Sequence, residues 1–555
     1  MKWYKKWFDL LTLSPLAILV FLLIGAEFVK NTFAAGAVYK DIALYRYFVI
    51  PMIGLVFALV VFLGILRKNW TLPESIQVFF NRHIYTILFI AIVAHTAFYS
   101  TILVLRYVTF HTSVIELGSY DHKIWNTAQL LPSVESLLVA SKGHFQPILV
   151  FYAFWYKLFC NCPAIILILQ VVTVVSAVVP LSLIAKEQLD NNRLWIGLLI
   201  MIYLMLPATG FNSVGDFHPD HLYIPMSLWA YYFAKRGWCF LALAAITVGS
   251  LAKEPLLLGA AFFGIYLAIN MGKRWIGYIS AVIFFLLFIY GVFYLQPKLI
   301  AHNTLEVFGF DHVLGIWEHP ITFTEGVLNG ITKKMLFIWF MLFPFMFLPL
   351  FSFKELIPTI PLFIIPIVSS NPDHSNIESQ YTAGLIGAIF VAFILVLRDV
   401  RNRWGGRPVW ALLILSVLLT GTLNFAKSPA PYSLSFWNKT WSVVWTYDNY
   451  LKMAYDKDMQ DMLKLVPSNA QKVVVAQSNI NYGSLAHRYR FYPFPQHWQR
   501  ADYILFDMNK PYMYYDKEDA TKFIQELANV QKSNDFTQIF NRSGLMLYAR
   551  LDLVD

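Results

Sequence analysis

Long apolar runs, each close to the length that crosses a bilayer, recur along most of this chain and limit its fold more than any other feature. A hydrocarbon core of about 30 Å takes about 20 helical residues. Runs of roughly that length begin near Leu11 and return until Asn424. Inside lipid each backbone polar group must be satisfied within its own segment, so each run is expected to be helical. With 58% hydrophobic and 14% charged residues, the chain has too little charge to cover a soluble surface of its size. Its 17% aromatic content suits interfacial belts of Trp and Tyr.

The pattern predicts spans at 11–29, 47–66, 84–106, 164–185, 194–209, 222–235, 238–252, 254–271, 275–296, 334–351, 356–369, 379–397 and 409–424. The expected fold class is an all-α polytopic membrane protein of about 13 transmembrane helices. The net charge of +10 does not signal nucleic-acid binding, because Lys and Arg sit mostly in short loops where they set topology. With the N-terminus in the cytoplasm, the inside loops carry Arg67, Lys186, Lys235, Lys273, Lys354 and Arg398 with their basic neighbours. The outside loops 210–221 and 370–378 hold no Lys or Arg. An odd number of spans then places the C-terminus outside. Lys2, Lys5 and Lys6 precede the first run, which reads as an uncleaved helix rather than a signal peptide.

The stretch Phe145–Phe159 is short, aromatic and interrupted by Gln146-Pro147. Counting it as a span would reverse every later loop, so an interfacial helix on the outer surface is expected. From Lys427 the composition turns polar and charged. Met453–Leu465 and Lys517–Val530 read as amphipathic helices, and Lys472–Ala476, Tyr503–Phe506 and Leu545–Ala549 as strands. These make a small C-terminal α/β extracytoplasmic domain over 427–555, after N-terminal helices at 1–83 and a membrane core at 84–426 with an outer loop at 107–163. Cys160, Cys162 and Cys239 are too few for a disulfide framework or a zinc site and read as packing residues.

Polar clusters collect on the outer side, where bilayer energetics make stray charge expensive. Asp121, in Tyr120-Asp121-His122, is either a general base in a sheltered loop or the cap of a helix starting near Lys123. His144 follows in the same loop. Asp216, His218, Asp220 and His221 resemble metal-ligand chemistry or the polar lining of a substrate cavity. Lys253 and Glu254 are either a mutual ion pair or, for Lys253, a point charge for a phosphate leaving group. Gln380 and Tyr381 enter a span and face a cavity, or belong to an ordinary polar loop with Ser379 as a helix cap.

Taken in order, Tyr120-Asp121 with Ile124, Asn126 and Gln129, then Gly143-His144-Phe145 with Pro147-Ile148-Leu149, then Asp216-Phe217-His218-Pro219, then Lys253-Glu254 resemble a family of predicted bacterial membrane proteins of unknown function. That family is grouped with the GT-C superfamily of membrane glycosyltransferases. The tail Val473–Asn479, His487-Arg488, Tyr492–Pro495 and Ala501–Tyr503 is similar to the same family. The resemblance implies a GT-C-like fold in a bacterial cytoplasmic membrane and a polyprenyl-phosphate-linked sugar as donor. It implies a glycan, lipid or protein acceptor outside, with Asp121 as base and Asp216 as a second acidic site. His144, His218, Asp220, Lys253, Glu254, Gln380 and Tyr381 would bind substrate. The superfamily includes enzymes with and without a divalent metal, and these residues do not separate the two. The other reading is a polytopic transporter or a lipid- or glycan-binding protein without catalysis; inverted repeats, a mark of many transporters, are absent from the sequence.

Overall fold

A computed structural model describes residues 50–67, 74–130, 144, 146–159, 162–297, 313, 319–371, 373–438, 444–452, 456–480, 485–509 and 517–554. The expected span 11–29, the Lys142–Gly143 stretch and most of the polar loop 297–333 lie outside the described residues. Six described helices are long and apolar enough to cross a membrane: Val78–Val108, Pro163–Gln188, Arg274–Leu295, Leu348–Val368, Gln380–Trp404 and Gly406–Ala426. Two bent pairs raise this to eight if each counts as one span: Arg193–Met205 with Pro207–Val214, at 53°, and Pro320–Leu328 with Ile331–Phe345, at 56°.

The bends have local causes. Leu206 is held extended by the following Pro207, which opens the next helix. Gly330, at φ +65°, takes the left-handed conformation that ends Pro320–Leu328 and starts its partner. The expected spans 222–235 and 238–252 appear as helices Tyr223–Lys235 and Cys239–Ser250, of 13 and 12 residues. At 1.5 Å per residue each reaches only about 20 Å.

One boundary differs from expectation. The break expected between 334–351 and 356–369 falls earlier, at Met346 and Phe347, which both have positive φ. Lys354 therefore sits within the segment Leu348–Val368 and not in a loop between spans. Pro349, Pro358, Pro361 and Pro366 divide that segment into short 3-10 and α turns by removing backbone donors.

Helix Gln380–Trp404 lies at the centre of the bundle, buried along nearly all of Ala383–Leu397. Glu254–Asn270 and Arg274–Ile289 form a tight hairpin whose glycines face each other. A Cβ on Gly264 would stand 2.7 Å from Gly277 O, and one on Gly277 would stand 2.5 Å from Gly264 O. Such backbone contact is how helices associate where apolar burial gives no advantage over lipid.

The C-terminal segment adds a five-stranded mixed sheet of order β2-β1-β3-β5-β4, where β1 is Val474–Ala476, β2 Phe491–Pro493, β3 Tyr503–Asp507, β4 Phe536–Arg542 and β5 Leu545–Arg550. β1 pairs in parallel with β2 and β3, while β5 runs antiparallel to both β3 and β4. Alternation of side chains gives the sheet two apolar faces. Val475, Ile504, Phe506, Met546 and Tyr548 pack under helix Lys517–Lys532 through Phe523, Leu527 and Val530. Val474, Ala476, Leu505, Leu545 and Leu547 form the other core with Met459 and Met462, and also with Phe110 and Val114. The sheet is thus cemented to the loop that follows helix Val78–Val108.

Phe145–Phe159 contains a ten-residue helix, Leu149–Leu158, too short to cross a bilayer. It buries Tyr152 and Tyr156 and exposes Val150, Phe154 and Leu158. Cys162 is disulfide-bonded, which corrects its reading as a packing residue. Cys239 is a buried free thiol.

Candidate functional site

Helix Ser119–Ala128 begins two residues before Asp121, so Asp121 lies in its first turn and does not cap it. Asp121 is fully buried. Its Oδ1 accepts from the Tyr156 hydroxyl and stands 3.3 Å from His487 Nε2. Its Oδ2 makes no hydrogen bond with any described residue. Trp125, one turn later on the same helix face, stacks on His487 with ring centroids 5.5 Å apart and planes 7° from parallel. The next face carries His122 and Asn126. His122 Nδ1 donates to Ala486 O at 2.9 Å, and Asn126 Nδ2 donates to His122 Nε2 at 3.2 Å. One nitrogen donating and the other accepting describes a neutral ring, and burial accordingly lowers its pKa to about 4.

A cavity of about 190 Å³ is lined by Arg106, Glu116, Gln170, Asn212, Asp216, His218, His221, Glu378, Gln380, Phe211 and Trp445. Arg106 ends an apolar span and is buried. It pairs with Asp216 at 3.0 Å and lies 4.7 Å over the Trp445 ring. Ser113 N donates to the other Asp216 oxygen at 2.8 Å. Burial raises the pKa of Asp216 despite the opposing pull of Arg106. Gln170, from within span Pro163–Gln188, donates to Gly215 O at 2.9 Å and accepts from His218 N, fixing the loop. His218 Nδ1 donates to Asp216 O at 2.7 Å, and its Nε2 lies 2.8 Å from Glu116 Oε2. Nδ1 faces a carbonyl and Nε2 a carboxylate, so both ring nitrogens sit against acceptors, an environment that favours the protonated ring. Burial alone would lower its pKa, but the Glu116 carboxylate outweighs this and the net shift is upward.

A second, smaller pocket shares Gln380 with the first and is lined by Asp220, Lys253, Tyr381 and Gly384 among apolar groups. Lys253 Nζ lies 3.8 Å from Asp220 Oδ1 and 4.8 Å from the centre of the Tyr381 ring. Burial opposes its charge, yet Asp220 and Tyr381 hold its pKa above the ordinary value. Beside it the buried Glu254 takes a hydrogen bond from His144 Nδ1 at 2.9 Å. Lys253 and Glu254 therefore do not form the mutual pair expected from their adjacency; a helix start at Glu254 sends them to different partners.

Asp216, His218 and Gln380 thus line one cavity, and Asp220, Lys253 and Tyr381 line its neighbour, with Gln380 in the wall of both. Asp121 lines neither cavity. The Asp216–His221 string does not gather as ligands either, since its members go separately to Arg106, Glu116, Lys253 and Tyr152. Among the described residues no three His, Cys, Asp or Glu side chains converge to hold a metal ion. Ser379 caps no helix with its side chain; its hydroxyl donates to Asn376 O. Sequence reasoning missed Arg106, Glu116, Trp445, Tyr156 and His487 as members of the site. Only Arg106 had a readable signal, a charge at the end of an apolar run.

No curated protein sequence matches this chain. Among solved structures it is similar to ArnT from Cupriavidus metallidurans bound to undecaprenyl phosphate, with a TM-score of 0.50, 10% identity, and coverage of 83% of this chain and 97% of that one. The apo state of the same protein gives a TM-score of 0.47 at 11% identity, covering 84% and 97% of the two chains. The Archaeoglobus fulgidus oligosaccharyltransferase in complex with Zn and sulfate gives 0.37 at 14% identity, covering 82% and 73%. These neighbours are GT-C glycosyltransferases, and the first shows that the chain has a fold of that kind. Residues 106–547 match a family described as predicted membrane protein, DUF2079, and the chain belongs to that family.

Proposed function

We propose that this protein is an integral-membrane glycosyltransferase that moves a sugar from a polyprenyl-phosphate donor to an acceptor outside the cytoplasm. The observation that carries the reading is the meeting of Arg106, Asp216, Asp220, Lys253 and Gln380, far apart in sequence, around two neighbouring cavities that share Gln380 as a wall. Buried charges that converge beside open space are functional candidates because a bilayer protein gains little stability from them. The likeness to ArnT, whose structure holds undecaprenyl phosphate, makes a lipid phosphate the natural anionic ligand. The disulfide at Cys162 suits an oxidising, extracytoplasmic side.

In the proposed step Asp121 Oδ2 takes the proton of an acceptor hydroxyl as that oxygen bonds to the anomeric carbon. The bond from that carbon to the phosphate oxygen breaks, and its electron pair leaves on the lipid phosphate. Lys253 faces the growing phosphate charge from a fixed position, with His218, whose proton affinity the Glu116 carboxylate raises, in the neighbouring cavity. Preorganised cations of this kind act where charge develops in the transition state. In this reading the acceptor enters between helix Ser119–Ala128 and Tyr156 to reach Asp121, which lines neither cavity.

The test uses purified protein in lipid with a panel of polyprenyl-phosphate sugars, reading free lipid phosphate and glycosylated product. Wild type is expected to turn over with at least one donor, and Asp121→Asn to lose transfer by on the order of 100-fold or more. Unchanged transfer in Asp121→Asn removes Asp121 as base. A wild type that binds a donor without releasing lipid phosphate favours a binding or transport protein.

A further inference from the structure

His487 reaches the site from the C-terminal layer, 366 residues beyond Asp121. It lies 2.6 Å from the Tyr156 hydroxyl and 3.3 Å from Asp121 Oδ1 through the same nitrogen, Nε2. The Tyr156 hydroxyl spends its one hydrogen on Asp121 Oδ1, so the hydrogen between His487 and Tyr156 belongs to the imidazole. Two groups from separate parts of the chain, Tyr156 directly and His487 behind it, thus surround one carboxylate oxygen, while the other has no partner among the described residues. A fully buried carboxylate oxygen with no partner is expensive. Its natural occupant is a hydroxyl that donates to it.

The placement of His487 is over-determined. Its ring is clamped flat on Trp125, and the preceding residue, Ala486, is tied to His122. The layer that carries it is bonded to the outer loop through Val114 N to Ser478 O at 2.5 Å and Ser113 Oγ to Ser478 Oγ at 3.2 Å. Phe110 and Val114 of that loop sit within the core beneath the sheet.

We propose that His487 is a positioning residue for Asp121, supplied by the C-terminal layer, so that the base is competent only while that layer is docked. The proposal rests on the glycosyltransferase reading. His487, through Tyr156 and directly, fixes Oδ1 and compensates its charge, leaving Oδ2 as the oxygen that takes the proton.

The experiment compares wild type, His487→Phe and His487→Gln as full-length protein in lipid, using the donors that wild type accepts. Phe keeps the stack on Trp125 and removes the donor; Gln restores an N–H donor near the Nε2 position. His487→Phe is expected to lower kcat on the order of 100-fold with KM for the donor within about twofold, and His487→Gln to recover to within about tenfold of wild type. A His487→Phe protein with kcat near wild type overturns the proposal, as does a Gln variant no better than Phe while both unfold at the wild-type temperature. A wild type inert toward every donor sinks the functional reading and this one with it. A wild type that transfers beside an equally active Phe variant sinks this one alone.

Discussion

Acid should loosen the C-terminal layer from helix Ser119–Ala128, and His122 should be the main cause. In the docked protein its Nδ1 is committed to Ala486 O and its Nε2 to Asn126, so the ring has no place for a second proton. Its pKa falls from 6.5 to about 4 on docking, chiefly through burial. Undocking exposes the ring and restores its ordinary affinity for protons. Between these two values the undocked state binds more protons, so docking is at full strength above about pH 6.5 and is lost as pH falls toward 4. About 2.5 pKa units at 1.36 kcal/mol each give roughly 3 kcal/mol, and the partly exposed edge of the ring trims this to about 2–3 kcal/mol. That corresponds to an opening equilibrium about 30- to 150-fold more favourable at the acid end. Hydrogen exchange followed by mass spectrometry on peptides covering 113–122 and 485–491, corrected for intrinsic rates between pH 7 and 4.5, reads this opening directly. His122→Asn keeps a donor where Nδ1 stands and removes the titration, so its protection should be nearly flat with pH. Asp121, Lys123 and His487 also bear on this ring. If His122→Asn loses protection with acid as steeply as wild type, one of them governs docking and the reasoning about His122 is wrong.

Lys253→Met should leave Asp220 buried with no cation beside it, at a cost of about 3–5 kcal/mol. Thermal unfolding in detergent should show a clear fall for the single variant and recovery of most of it in Lys253→Met with Asp220→Asn; a single variant as stable as wild type would mean the 3.8 Å pair carries no weight. Gly264→Val should force apart helices Glu254–Asn270 and Arg274–Ile289, because its Cβ would lie 2.7 Å from Ala281 N and Gly277 O, backbone atoms that cannot swing away. A loss of about 1–3 kcal/mol is expected in the same assay, and none at all would show that the hairpin is looser than its geometry.

What was legible in the sequence, and what was not, follows from the range of the forces involved. The apolar runs report a requirement each segment meets alone, so span Gly406–Ala426 and the strands at 474–476, 503–507 and 545–550 fall close to where residue patterns place them. The break at Met346–Phe347 was hidden because the run stays apolar through Pro344 and Pro349, and composition does not say which proline ends a helix. At the site, residue types pointed to Asp216, His218 and Lys253 because charge beside an apolar run is unusual whatever its partner. Partners were another matter. Nothing near Glu116 distinguishes it from a solvated loop carboxylate until His218 arrives at 2.8 Å. Adjacency even misled at Lys253 and Glu254, where a single helix start turns neighbouring charges toward Asp220 and His144. The same reasoning explains why His487 looked like part of a tail motif and nothing more. Its meaning lies in a contact with Asp121 that exists only after the sheet has closed over Phe110 and Val114, so the chemistry of the base is written in the packing of two layers and in no local stretch of either.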